Sequence, residues 1–105
     1  MQSDEQAVGW YRKSADQGTA EAQYNLGMMY LRGRGVHASD VDAADCFFKS
    51  ASQGFAAAQS HLGNLYAHGT GVKLSHAKAV EWHQKAAGQG NARSQAALSQ
   101  LPRES

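Results

Sequence analysis

The sequence predicts an all-α fold: a right-handed α/α solenoid of helix-turn-helix repeats with a 36-residue period, about six antiparallel helices in all. Three observations predict it. First, residues 7–42 laid on 43–78 without a gap give 16 identities in 36 positions, and the period continues more weakly from 43–66 to 79–102. Lys13/Lys49/Lys85, Gln17/Gln53/Gln89, Gly18/Gly54/Gly90, Gln23/Gln59/Gln95 and Leu26/Leu62/Leu98 all keep that spacing. Second, within each unit the apolar residues recur at helical spacing, and no segment alternates as a strand would. Third, the chain holds 11 Gly and 1 Pro, with the glycines at repeat-equivalent places where a helix must end. A fixed period of this length marks stacked units, none of which can bury its apolar face alone.

The elements follow in order. A helix of the second type spans about Asp4–Gln17, started by the Ser3-x-x-Gln6 capping box. A helix of the first type covers Ala20–Gly33. At 100° per residue it gathers Ala22, Leu26, Met29, Tyr30 and Gly33 on one face, with Glu21, Tyr24, Asn25, Met28 and Arg32 opposite. Thr19 stands at its N-cap, Glu21 in its first turn suits the helix dipole, and Gly33-Arg34-Gly35 stops it. The next helix starts at Ser39 or Asp40 and puts Ala43, Ala44, Phe47, Ser50 and Ala51 on one broad face until Gln53-Gly54. Ala56–His68 and Ser75–Gln89 repeat the pair, and a last helix of the first type covers Ala92–Leu101. The whole chain reads as one domain, with a half unit at 4–18, full units at 20–54 and 56–90, and a half unit at 92–101. Small residues recur at Ala15/Ala51/Ala87, Ala20/Ala56/Ala92 and Gly27/Gly63, where helices must approach closely.

Composition narrows the function. Ten Lys+Arg against nine Asp+Glu leave a net charge of +1, too balanced to predict nucleic acid as a partner. No apolar run exceeds four residues, so no membrane insertion is expected. The lone Cys46 forms no internal disulfide and suits cytosol or periplasm alike. The residues carry no leader, which points to the cytoplasm; a leader already removed would point to the periplasm.

Trp10-Tyr11-Arg12-Lys13, Ala20-x-Ala22-Gln23-Tyr24-Asn25-Leu26-Gly27-x-x-Tyr30 and Gly33-x-Gly35-Val36 closely resemble the Sel-one-like repeat (SLR) family over about 7–101. That family is related to the tetratricopeptide repeats, with a longer, glycine-rich turn between the helices. The sequence departs from the pattern at Cys46, which replaces the Trp of 10 and 82, at His83, which replaces the aromatic of 11 and 47, and at Ser99, which replaces the Gly of 27 and 63. The resemblance implies a non-catalytic, bacterial scaffold or adaptor for a protein or peptide. It also offers an alternative, a hydrolase like the β-lactam-hydrolysing cysteine-rich relatives. Those carry paired cysteines in each repeat, and this chain has none.

The chemistry-bearing residues support no catalytic site. Gly33-Arg34-Gly35 and Gly69-Thr70-Gly71 follow helices, whereas a phosphate cradle needs a strand before it and a helix directly after; they read as turns. Cys46 sits beside the core face as a small hydrophobe. His61 and His68 stand seven apart, about 10 Å along a helix, too far to chelate one ion together, and His76 and His83 share that spacing. They read as solvated or partner-contacting side chains, and neither metal nor cofactor is expected. Asp40, Asp42 and Asp45 cap and compensate a helix start. Trp10, Trp82, Phe47, Tyr30 and Tyr66 belong to core and inter-repeat packing.

One face remains. Opposite the packed side, the first-type helices line up Glu21, Tyr24, Asn25, Met28 and Arg32, then Ala57, Ser60, His61, Asn64 and His68, then Arg93, Ala96 and Gln100. By resemblance this row is the concave groove. Its equivalents change character, Glu21/Ala57/Arg93 and Met28/Asn64/Gln100, while the core positions stay constant, as expected of a face that reads a ligand. Tyr24 and Met28 read as exposed apolar contacts, and Tyr24 and Arg32 as anchors whose loss leaves the melting temperature unchanged. The last helix presents Leu98 and Leu101 with no second-type helix to cover them before Pro102, so self-association through that end is expected.

Overall fold

The structure, a computed structural model, describes residues 3–100. These form six helices and no strand: α1 (Asp4–Asp16), α2 (Ala20–Arg32), α3 (Asp40–Ser52), α4 (Ala56–His68), α5 (His76–Gly88) and α6 (Ala92–Gln100). Each helix packs chiefly on its neighbours in the chain, and α4 also meets α6. Local pairing of this kind draws the molecule out to 48 × 24 × 22 Å, as a solenoid requires.

Side-chain caps start the second-type helices. Ser3 and Gln6 form the reciprocal box on α1, while Ser39 Oγ accepts from Asp42 N–H at 3.1 Å and Ser75 Oγ from Lys78 N–H at 3.2 Å. Thr19 occupies the N-cap of α2, but its side chain makes no capping bond, and Phe55 holds the same place before α4. The connection there closes through backbone instead, with Thr19 N–H donating to Ser14 C=O at 3.2 Å. Gly33 and Gly69 take left-handed conformations at the C-caps of α2 and α4.

The core lies between units. Ala43, Ala44, Phe47, Ala51, Ala58, Leu62 and Leu65 form its centre, and the buried side of α3 is the face that the sequence predicts. Small residues set how close the helices come. A Cβ on Gly27 would lie 2.9 Å from the Phe47 ring, and one on Gly63 2.7 Å from the His83 ring. In the long loops, Gly35 has φ +76°, and a Cβ there would lie 2.5 Å from the Asp4 carbonyl oxygen. Each glycine loop thus packs under the start of the preceding second-type helix, and Gly71 against Asp40 repeats the contact.

A second network, invisible to hydropathy, ties the units together. Gln23, Gln59 and Gln95 donate side-chain N–H to the carbonyls of Ala15, Ala51 and Ala87 at 3.4, 3.2 and 3.3 Å. Gln53 and Gln89 of the following helices donate in turn to Gln23 Oε1 and Gln59 Oε1 at 2.7 and 2.9 Å. The buried amides are satisfied pairwise, so the repeat of glutamines is structural.

Three packing expectations are corrected. Trp10 is 62% exposed; Trp82 has Phe48 of the preceding second-type helix edge-on at 6.1 Å, and among the described residues α1 has no such helix before it. His83 is buried, taking the ring position of Phe47 rather than facing solvent. Cys46 is half-buried, not wholly enclosed. Leu98 is half-buried against its neighbours, while Leu101 and Pro102 lie outside the described residues.

Candidate functional site

Helices α2, α4 and α6 carry the predicted row, and the structure shows how its residues differ. Glu21, Arg32, Asn64, His68, Arg93, Ala96 and Gln100 are exposed. Tyr24, Asn25, Met28, Ala57 and His61 are half-buried. Ser60 is 2% exposed; α4 is enclosed by α3, α5 and α6, so Ser60 forms a floor and offers a ligand little surface.

Two clefts open along this face and share Tyr24. The first, about 290 Å³, is lined by Tyr11, Tyr24, Asn25, Met28, Met29, Arg32 and Arg34. The second, about 230 Å³, is lined by Tyr24, Ala57, Ser60, His61, Asn91 and Arg93. Seven of the eleven predicted contact residues line one of the two clefts: the structure gathers Tyr24, Asn25, Met28 and Arg32 in the first and Ser60, His61 and Arg93 with Tyr24 in the second. Glu21, Asn64, His68 and Gln100 line neither.

Tyr24 is held by rings. Its centroid lies 5.8 Å from Phe47, 5.3 Å from Phe55 and 5.5 Å from His61, and His61 stacks on Phe47 at 5.3 Å with 10° between planes. Tyr24 and Met28 both pack against the core cluster, which corrects their reading as freely exposed groups. Burial keeps the His61 imidazole below its ordinary pKa, and the guanidiniums of Arg93 and Arg32 add to the effect. At neutral pH it is therefore an uncharged aromatic wall. His68 is exposed, with Nδ1 2.9 Å from the Asn64 carbonyl oxygen.

Other candidate chemistry is weak. Burial, reinforced by Asp45, pushes the Cys46 thiol up to about 11, so it is protonated and a poor nucleophile at neutral pH. Among the described residues no three His, Cys, Asp or Glu side chains gather to hold a metal ion. No helix there is long and apolar enough to cross a membrane.

The Sel1 repeat matches residues 1–19, 20–55 and 56–91. The chain belongs to the Sel1 repeat family. Sel1 repeat proteins are generally protein-interaction scaffolds and typically non-catalytic. Among solved structures, the chain is similar to a protective antigen of uropathogenic Escherichia coli strains displaying an SLR fold, at 42% identity and TM-score 0.87, covering 89% of this chain and 20% of that one. It is also similar to a Sel1 repeat protein from Oxalobacter formigenes, at 36% identity and TM-score 0.90, covering 93% of this chain and 40% of that one. The chain thus spans less than half the length of either relative. A search of curated proteins returns no significant match.

Four lining residues of the Sel1 repeat clefts escaped sequence reasoning: Tyr11, Met29, Arg34 and Asn91. Tyr11 belongs to a second-type helix, and Arg34 sits in the glycine loop, held by Asp4 at 2.8 Å. The available signal was Arg34 itself, a cation in a loop whose equivalent in the next unit is Thr70. Asn91 stands where Thr19 and Phe55 precede α2 and α4, and its Oδ1 accepts from Ser94 N–H at 2.9 Å.

Proposed function

We propose that this Sel1 repeat chain is a non-catalytic bacterial adaptor that binds a protein or peptide along the row of α2, α4 and α6, the concave side of the solenoid. One observation carries the reading: two clefts meet at Tyr24, whose ring is held from three sides, on a face where the repeat equivalents Glu21/Ala57/Arg93 and Met28/Asn64/Gln100 change character. A pre-ordered aromatic flanked by polar side chains forms contacts at low entropic cost. The hydrolase reading finds no comparable support, since the single thiol is held protonated.

The test is affinity capture from a bacterial lysate with three variants compared in parallel. Asn25→Trp and Ala57→Trp fill the two clefts, and Lys49→Trp places the same bulk on the outer face of α3. The first two should each lose the captured protein while keeping helicity, and the third should retain it. Retention by both cleft variants would contradict the proposal.

A further inference from the structure

The charge is spread unevenly over the two kinds of helix: α1, α3 and α5 carry five Lys and Arg against seven acids, and α2, α4 and α6 carry Arg32 and Arg93 against one, Glu21. The cations of the row, Arg32 and Arg93, form no ion pair among the described residues; the pairs present are Arg34–Asp4 and Lys49–Asp45. Each cleft therefore has an exposed guanidinium and no acidic lining residue. The two clefts share Tyr24, and the charges of Arg93 and Arg32 both add to the burial that disfavours protonation of the His61 ring beside it.

We infer that the groove of α2, α4 and α6 takes an acidic peptide segment, its carboxylates at Arg32 and Arg93 and an apolar side chain between them against Tyr24 and Met28. This rests on the concave-row reading above and adds the chemistry of the partner. Guanidinium groups bind carboxylates through paired, charge-assisted hydrogen bonds. Successive side chains of an extended peptide point to opposite sides, so alternating acidic and apolar residues present one kind to each wall. Asn25 and Asn91 supply amides for the peptide backbone, as a polar rim should.

The experiment uses three fluorescein-labelled peptides, Glu-Tyr-Glu-Leu-Glu-Tyr-Glu-Leu and its Gln-for-Glu and Lys-for-Glu counterparts, with an oligothymidine as the anionic control. Polarisation reads affinity, and amide shifts of the ¹⁵N-labelled chain read location. The Glu peptide should bind with shifts centred on Tyr24, His61 and Arg93. Arg32→Glu and Arg93→Glu should each weaken it by about ten-fold or more, whereas Lys73→Glu on the loop should not. In that complex His61 should titrate at higher pH than in the free chain, because a carboxylate now offsets Arg32 and Arg93, the charged groups facing it together with Tyr24 and Phe47. Equal binding of the Gln peptide in the groove would overturn the inference and leave the concave reading standing. Shifts confined to α3 and α5 would overturn both. Tighter binding of the oligothymidine, or no binding of the Glu peptide below about 1 mM, would also overturn it.

Discussion

His83 stands where earlier units carry Tyr11 and Phe47, and Ser94 stands where they carry Ala22 and Ala58. The two changes belong together: Ser94 Oγ lies 2.8 Å from His83 Nδ1 and satisfies a ring nitrogen that an alanine would leave bare. The other nitrogen, Nε2, is buried against Gly63 with no partner, and burial holds the His83 pKa below its ordinary value. The unfolded chain binds a proton near the ordinary pKa of about 6.5 and the folded chain only at lower pH. The associated stability is therefore present above that value and is lost as the pH falls below it. Chemical denaturation should show the chain weakening from about pH 7.5 to about pH 5, and His83→Phe with Ser94→Ala should flatten that slope, leaving the part due to His61. An unchanged slope would show that His83 is not the proton acceptor. Tyr24 also departs from the sequence reading. Replacing it by Ala should cost about 2 kcal/mol through lost ring packing, while Arg32→Ala should stay within about 0.5 kcal/mol; thermal melts distinguish them. The helical wheel placed Tyr24 opposite the core because it assumes one buried stripe. Helix α2 lies between α1 and α3, so its buried arc is wider than one amphipathic face.

Helices were the most legible features, because start and stop chemistry recurs three times in one short chain. Ser3, Ser39 and Ser75 cap as expected, and Gly33 ends α2 in the left-handed region. What pattern reading lacks is long-range geometry: it identified Gln23, Gln59 and Gln95 as repeated without showing that they bridge to Ala15, Ala51 and Ala87. The close approaches were legible as small residues, and they give a direct contrast. Gly63→Leu must displace the His83 ring and should destabilise by about 3 kcal/mol or more, whereas Asn64→Leu on the exposed side should stay within about 0.5 kcal/mol. Equal losses in denaturant titrations would mean that the buried and open faces of α4 are exchanged.

At the scale of the molecule, packing runs between helices that are neighbours in the chain. The Gln23 and Gln59 carboxamides each accept from the glutamine that ends the following helix, and Gln95 has no such donor among the described residues. Self-association through α6 follows as a proposal. Sedimentation velocity should show concentration-dependent dimers that Leu98→Lys abolishes, and a monomer at all concentrations would contradict it. The clefts were less legible than the helices, since a quarter of their twelve lining residues, Tyr11, Arg34 and Asn91, stand on elements that the periodic row excludes. The central claim is that partners bind on the row of α2, α4 and α6. Site-specific photocrosslinking tests it most directly, with benzoylphenylalanine placed singly at Asn25, Ala57 or Arg93 and at Val41, Lys49 or Glu81 on the second-type helices. The account predicts partner adducts from the first three positions and none from the others; adducts confined to Val41, Lys49 and Glu81 would contradict it.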